Sequence, residues 1–253
     1  MKLITSVFIA LCCCCLCFTP CTLAFHPPGS RIMKSIRPSS TPRVMMTSVE
    51  QGIGVEGCKM VSISTVNALP IPLQAAVFVG SFAAMGFGAS LILGFFHILE
   101  SIIPDFYSSF KASFGLLGPI FMAAGAAHFA VKSDFENIYP YRGAWGFWLL
   151  PGTAEFHVIW TGVAELALGA GLSVGSLLNV FGMPSSGDFL VQYSSLGLLY
   201  LTILVTPANI FMFTHGARLP MSQPPVPVQF HYVRGAFQSV LFAQFYALAQ
   251  PLL

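Results

Sequence analysis

The sequence predicts an all-α protein, built as a polytopic bundle of transmembrane helices. Of its 253 residues, 55% are hydrophobic and only 8% are charged, whereas soluble domains are about a quarter charged. The mean hydropathy is +0.77, and most of the apolar residues fall in runs that are long enough to cross a bilayer. A soluble core cannot bury this much apolar surface, so we expect lipid to surround most of the chain.

The first 48 residues are predicted to be targeting sequence and not part of the fold. Lys2 precedes an apolar run over residues 3–18 and a small residue at Ala24, which together are typical of a signal peptide over residues 1–24. Residues 25–48 are basic, rich in Ser, Thr and Pro, and free of acidic side chains, as transit peptides are. A first transmembrane helix is the alternative interpretation of residues 3–18, although this run is short for one.

The junction of the two targeting segments reads Ala24-Phe25-His26-Pro27. It resembles the Ala-Phe-Ala-Pro core of the bipartite plastid presequence of algae with complex, red-derived plastids, with His at one position. The resemblance implies import into a plastid. Secretion with a disordered N-terminus is the alternative.

Several kinds of site are disfavoured by composition. The net charge is +2 and the basic residues are scattered, so we expect no nucleic-acid partner. Six of the seven cysteines lie between Cys12 and Cys21, and Cys58 is the only later one. The mature chain is therefore predicted to have no internal disulfide and no CxxC site. No metal-ligand spacing is convincing, and glycine-rich phosphate loops are absent from the sequence.

After a polar lead-in over residues 49–70, the apolar runs predict five transmembrane helices. They cover residues 71–103, 114–131, 154–178, 189–213 and 230–248, each near or above the roughly 20 residues that a bilayer needs. Lys and Arg are more frequent on the side that holds the lead-in. This bias predicts the N-terminus on the stromal side and the C-terminus across the membrane.

Small and aromatic residues predict where the helices pack. Gly80, Ala84 and Gly88 recur at four-residue spacing, Ala123 and Ala127 follow in the next helix, and Gly169 lies beyond them; this spacing allows close helix approach in lipid. The alternative is that Gly and Ala are simply common in membrane helices. The loop over residues 139–148 is rich in Tyr, Trp and Phe. Such side chains suit the membrane interface or a lid over a site between helices.

Polar residues inside the apolar runs form the candidate site. His157, Thr161 and Glu165 share one helix face because they recur every four residues. Pro207 frees a backbone carbonyl that a neighbour or water has to satisfy. The candidate intramembrane site comprises His128, His157, Thr161, Glu165, Asn209 and Arg234.

Each of these residues also has a structural explanation. A histidine near a helix end is commonly interfacial, Asn209 suits an interhelical hydrogen bond, and Arg234 can extend towards the membrane surface. Glu165 differs, since a charge at mid-bilayer costs about 3 kcal/mol on insertion scales. We expect Glu165 to be protonated or paired with Arg234, His128 or Asn209, either in a functional site or in a polar clamp.

The same residues carry a family resemblance over residues 114–250. In order, the motifs are Gly125-Ala-Ala-His-Phe129, Tyr139-Pro-Tyr141, Thr161-Gly-Val-Ala-Glu165, Pro207-Ala-Asn-Ile-Phe-Met212 and Arg234-Gly-Ala-Phe-Gln238. Their order and spacing resemble the DoxX-like family of small four-helix membrane proteins. The chain departs from this pattern in two respects. The helix over residues 71–103 is additional, and the family proline after Arg is missing, with Gly235 and Ala236 there.

The resemblance implies a left-handed four-helix bundle with the motif residues pointing inward. Relatives are linked to sulfur-compound oxidation coupled to quinone and to membrane complexes that handle oxidative stress. Together with the resemblance of the presequence, it implies a plastid membrane protein, thylakoid or envelope, in a quinone- or thiol-linked redox system, with quinone as the possible cofactor. Glu165 and His128 would bind the head group or relay its proton, and Asn209 and Arg234 would orient or neutralise it. If the chain is an enzyme, it would be a quinone-linked oxidoreductase subunit.

Two other functions fit the sequence. The first is a non-enzymatic membrane subunit or assembly factor, in which the polar residues clamp the bundle and the face with Gly80, Ala84 and Gly88 docks a partner in a membrane complex. The second is a small proton-coupled transporter. Glu165 suits proton coupling, but the sequence has no visible inverted repeat.

Overall fold

The computed structural model describes residues 64–112, 117–219 and 226–253. The predicted signal peptide, the transit peptide and most of the polar lead-in lie outside these residues, as do Pro220, Pro224 and Pro225. Within the described ranges the regular structure is helical and contains no strand. The all-α prediction is confirmed for this part of the chain.

The helices lie close to the predicted apolar runs. The described α-helices are α1 (Ile71–Ile102), α2 (Phe106–Ala112), α3 (Leu117–Ala130), α4 (Lys132–Ile138), α5 (Ala154–Val180), α6 (Pro184–His215) and α7 (Val228–Ala249). Short 3-10 turns cover Ala144–Gly146 and Gln250–Leu252. Helix α6 begins before the predicted residue 189 because Pro184 occupies its first turn, where the missing N–H has no helical partner to lose.

Four stretches are long and apolar enough to be membrane spans by length and composition. They are Ile71–Ile102, Phe106–Ala130, Ala154–Val180 and Pro184–His215; the second includes residues 113–116, which are not described. These spans agree with the prediction of a multi-pass membrane protein.

Five helices were predicted to cross the membrane, and α7 is the one that is not among the four apolar spans. The reason is its polar content, with Gln238 and Gln244 both buried. Its 22 residues make it about 33 Å long, which suffices for a bilayer. The polarity of α7 is thus directed into the protein.

The helices pack as a ring with one helix outside it. Helix α3 packs on α5, α5 on α6, and α6 on α7. The circle of four helices is closed where Phe121 of α3 contacts Phe245 of α7, with the centroids of the two aromatic rings 5.3 Å apart. Helix α1 lies against α7 and α6, and of its residues only Gln74 and Ala89 are buried. Most of α1 is therefore available to lipid.

Glycines bring α3 and α5 into backbone contact. A Cβ on Gly118 would lie 2.9 Å from the carbonyl oxygen of Gly169, and one on Gly125 would lie 2.7 Å from that of Gly162. Close approach through small residues is how helices associate without a hydrophobic driving force. The predicted contact at Gly169 is confirmed, but the prediction for Ala123 is wrong, because Ala123 is exposed and Gly118 and Gly125 make the contact from another face of α3.

The predicted small-residue face of α1 divides in two. A Cβ on Gly88 would lie 2.7 Å from the Ser239 hydroxyl of α7, so this glycine makes a close approach. Gly80 has no atom within 4 Å of that position. The part of this face around Gly80 therefore borders open space.

The aromatic loop packs inward at the end of the bundle that holds α4, which we call the α4 end. Trp145 is only 1% exposed. Its Nε1 donates to Thr214 Oγ1 of α6 at 2.9 Å, and its ring lies 4.6 Å from that of Phe78 on α1. The interfacial interpretation is therefore wrong for Trp145, although Phe147 is 43% exposed.

We predict that Gly125→Ala destabilises the bundle by about 1–3 kcal/mol, because the new methyl group meets backbone atoms that cannot move without separating α3 from α5. Thermal or denaturant unfolding of the purified protein measures this. Gly94→Ala is the matched control, since nothing lies within 4 Å of a Cβ there. Equal stability of the two variants would contradict the glycine contact.

Candidate functional site

The six predicted site residues lie in separate places. His157 lies in the first turn of α5, next to the aromatic loop at the α4 end. Its Nε2 lies 2.8 Å from the carbonyl oxygen of Pro151, its Nδ1 accepts from Trp160 Nε1 at 3.1 Å, and its ring stacks on Tyr139. These contacts assign the proton to Nε2 and give His157 a structural role in anchoring the loop before α5.

Thr161 is satisfied within its own helix. Its hydroxyl donates to the carbonyl oxygen of His157 at 2.7 Å, as Thr and Ser commonly do inside helices. Thr161 and Glu165 are both buried on the same face of α5, as their spacing predicted. The structure nevertheless gives them no shared hydrogen bond.

His128 is the partner of Glu165 among the three that were expected. Glu165 Oε2 lies 3.3 Å from His128 Nδ1, and each residue is only 7% exposed. The same Nδ1 lies 3.0 Å from the carbonyl oxygen of Ala124. Oε2 has no hydrogen bond among the described residues, so this is a close contact in which the Nδ1 proton is directed to the backbone.

A second polar group joins α6 to α7. Arg234 Nη2 donates to Asn209 Oδ1 at 2.6 Å, and Asn209 Nδ2 donates to Gln238 Oε1 at 3.4 Å. Gln238 Nε2 then donates to Thr206 Oγ1 at 3.0 Å and to the carbonyl oxygen of Thr202 at 3.1 Å. We call this series the α6–α7 chain: Arg234, Asn209, Gln238, Thr206 and Thr202.

The direction of the α6–α7 chain is fixed at its buried end. Thr206 donates its hydroxyl proton to the carbonyl oxygen of Thr202, so it can only accept from Gln238. The Gln238 oxygen must then face Asn209, and the Asn209 oxygen must face the guanidinium. The chain therefore holds Arg234 at one orientation, with its other terminal nitrogen, Nη1, 3.1 Å from the Met212 sulfur.

A cavity of about 510 Å³ opens beside this guanidinium, between α1, α6 and α7. Its wall on α1 includes Gly80, Ala84 and Met85, and its polar side includes Asn209, His231, Arg234 and Gln238. None of the described residues that line it is acidic. The volume lies within the usual range for small-molecule sites, and the combination of apolar walls with a cation suits an amphipathic ligand with an electronegative head group. Glu165 and His128 do not line it.

Sequence reasoning missed Thr202 and Thr206 and did not place Gln238 in the site. A signal for them exists, since Thr202, Thr206 and Asn209 fall on one face of α6 and Arg234 and Gln238 are four residues apart on α7. Threonines that bond only within their own helix show the same spacing, so the pattern does not identify the partner helix.

Charged side chains lie at the α4 end. Lys132 and Glu136 are outside the four apolar spans, and Glu155 is the second residue of the span Ala154–Val180. Lys132 Nζ donates to Glu155 Oε1 at 2.5 Å and lies 3.9 Å from Glu136. The hydrogen bond to Glu155 and the nearby carboxylates hold the pKa of Lys132 above its usual value. Lys132 therefore stays charged beside α3 throughout the physiological range.

No family model, curated protein or solved structure matches this chain. Within residues 64–112, 117–219 and 226–253, no three His, Cys, Asp or Glu side chains are grouped closely enough to hold a metal ion.

We predict that Gln238→Leu destabilises the protein by about 1–3 kcal/mol, because it leaves the Thr206 hydroxyl and the Asn209 amide without their buried partner. Gln229→Leu, on the exposed side of the same helix, is the matched control and should be close to neutral. Unfolding of both variants checks this. A neutral Gln238→Leu would mean that the α6–α7 chain does not hold the two helices.

Proposed function

We propose that this chain is a DoxX-like integral membrane protein of a plastid membrane, and that it binds the head group of a lipid-soluble quinone between α1, α6 and α7. The observation that carries the proposal is the cavity beside Arg234, held by the α6–α7 chain. Asn209 and Arg234 keep the orienting role expected for them from the sequence analysis. Glu165 and His128 do not reach this cavity and are not part of the head-group site.

The cavity chemistry fits a quinone. A guanidinium offers five N–H donors and no acceptor, and quinone carbonyl oxygens are acceptors only. The Nη1 contact of Arg234 is to a thioether sulfur, which is a weak acceptor. A carbonyl oxygen is therefore the stronger partner for this nitrogen.

The apolar tail of a quinone can also be accommodated, on the α1 side of the cavity. Gly80 and Ala84 are exposed on α1 and form a shallow apolar wall that leads from the cavity towards lipid. An isoprenoid or alkyl chain can lie against these residues without displacing a helix.

The redox association rests on the family resemblance and on the ligand class. The proposed plastid location rests on the presequence resemblance in residues 1–48. In this proposal the protein holds a quinone for a redox system in the same membrane.

A non-enzymatic subunit is the second candidate. It is favoured by the open space at Gly80, where a partner helix could pack instead of a ligand. The two candidates differ in what accompanies the purified protein, a small molecule in one case and a second polypeptide in the other.

We predict that the full chain in lipid nanodiscs binds a decyl-substituted benzoquinone, and that Arg234→Met weakens binding by about tenfold or more. A hydrogen bond to a charged group contributes about 1.5–3 kcal/mol, and 1.4 kcal/mol is tenfold in affinity. Equilibrium partitioning with varied protein measures the binding.

Gly80→Leu should abolish the same binding, because its side chain enters the cavity. Gly86→Leu is the matched control. It lies on the same helix with nothing within 4 Å of its Cβ position and does not line the cavity. Quinone binding that is unchanged in both Arg234→Met and Gly80→Leu would contradict the proposal.

A further inference from the structure

The His128–Glu165 pair has a place of its own, in the α3–α5 contact. Gly162 lets the two helices meet there, since a Cβ on Gly162 would lie 2.7 Å from the His128 Cβ. Glu165 lies about 16 Å along α5 from its first residue at 1.5 Å per residue. The pair is therefore held by backbone contact well inside the bundle.

The chemistry of this contact is that of one exchangeable proton. Glu165 Oε2 is buried, and within the described part of the chain it accepts no hydrogen bond, while His128 Nδ1 lies 3.3 Å away. Because His128 Nδ1 donates its proton to the backbone, the pair can hold one further proton, either on the Glu165 carboxyl group or on His128 Nε2. With that proton the pair is neutral overall, as carboxylic acid and imidazole or as carboxylate and imidazolium. Removal of that proton to water leaves one negative charge, which is costly at this depth.

On the side of α4, an aromatic ring covers His128. The Phe135 ring of α4 stacks on the His128 imidazole, with centroids 3.9 Å apart. Lys132, one turn before it along the chain, has a side chain that is 41% exposed. Phe135 thus stands between the imidazole and the charged surface of the α4 end.

Other titratable groups sit on the elements packed around the pair. At the α4 end they are Lys132, Asp134 and Glu136 on α4, Glu155 and His157 at the start of α5, and His215 at the end of α6. Asp188 lies at the opposite end of α6, where it accepts from Asn179. Lys132 pairs with Glu155, His157 bonds to its own loop, and His215 bonds to Thr214. Glu165 therefore supplies the buried carboxyl group of the α3–α5 contact.

We propose that His128 and Glu165 form a proton-binding site inside the bundle, which exchanges its proton with water at the α4 end past Phe135. The site takes one proton from water and returns one, with no other reactant. It does not depend on the proposed quinone, since neither residue lines that cavity.

The test uses infrared difference spectra of the full chain in lipid nanodiscs between acidic and alkaline buffer. We expect a carbonyl stretch of a protonated carboxyl group that depends on pH, is lost in Glu165→Gln and persists in the matched control Glu155→Gln. His128→Phe should move its midpoint to higher pH, by about one unit or more, because the imidazolium no longer stabilises the carboxylate. Should Glu165→Gln not fold, Glu165→Asp assigns the band by shifting its frequency.

The route is tested by the rate at which this band shifts in D2O. Phe135→Ala should speed the exchange by about tenfold or more, and Phe135→Leu, which keeps the cover, should not. A wild-type protein without the band, a band that survives Glu165→Gln, or an unchanged exchange rate in Phe135→Ala would overturn the proposal. Arg234→Met should keep the band, so loss of quinone binding and loss of the proton site are separate results.

Discussion

The hydrogen bonds from Arg234 through Asn209 and Gln238 to Thr206 are the interaction on which the arrangement of α6, α7 and the cavity depends. In lipid, polar groups must be satisfied inside the protein, and α7 is too polar to be surrounded by acyl chains. Its buried amides therefore find partners on α6 and on α2, where Gln244 Nε2 donates to the carbonyl oxygen of Phe110 at 3.1 Å. These bonds fix α7 inside the ring and place Arg234 at the wall of the cavity.

The α3–α5 contact keeps His128 and Glu165 apart from the α6–α7 chain. Glycines on both helices bring the backbones so close that His128 and Glu165 meet each other and do not meet Arg234. One set of apolar helices thus encloses two polar groups with different properties. One borders a cavity and carries a fixed cation, and the other is closed and holds a carboxyl beside an imidazole.

The membrane helices and the buried face of α5 could be predicted from sequence, because hydropathy and four-residue spacing are local properties. Which helices meet could not. Ala123 and Gly125 are both small residues that allow close helix approach, and the sequence does not show which of them faces α5. The end of α1 was predicted within one residue, but the short helix α2 that follows it was missed. There Glu100 accepts from the backbone N–H of Asp105 at 3.1 Å, and Asp105 has a positive φ of 66°, which Asp tolerates better than most residues. Trp145 was misplaced because aromatic content does not distinguish an interfacial ring from a buried one.

The proposed occupant of the cavity beside Arg234 in the native membrane is a lipid-soluble quinone. The most direct measurement is mass spectrometry of the organic extract from the full chain purified in native-like lipid, compared with Gly80→Leu purified in the same way. If a quinone occupies this cavity, we expect about one quinone per protein in the wild type and none above the lipid background in the variant. An extract from the wild type that contains only bulk lipid, in the same proportions as the variant, would contradict it.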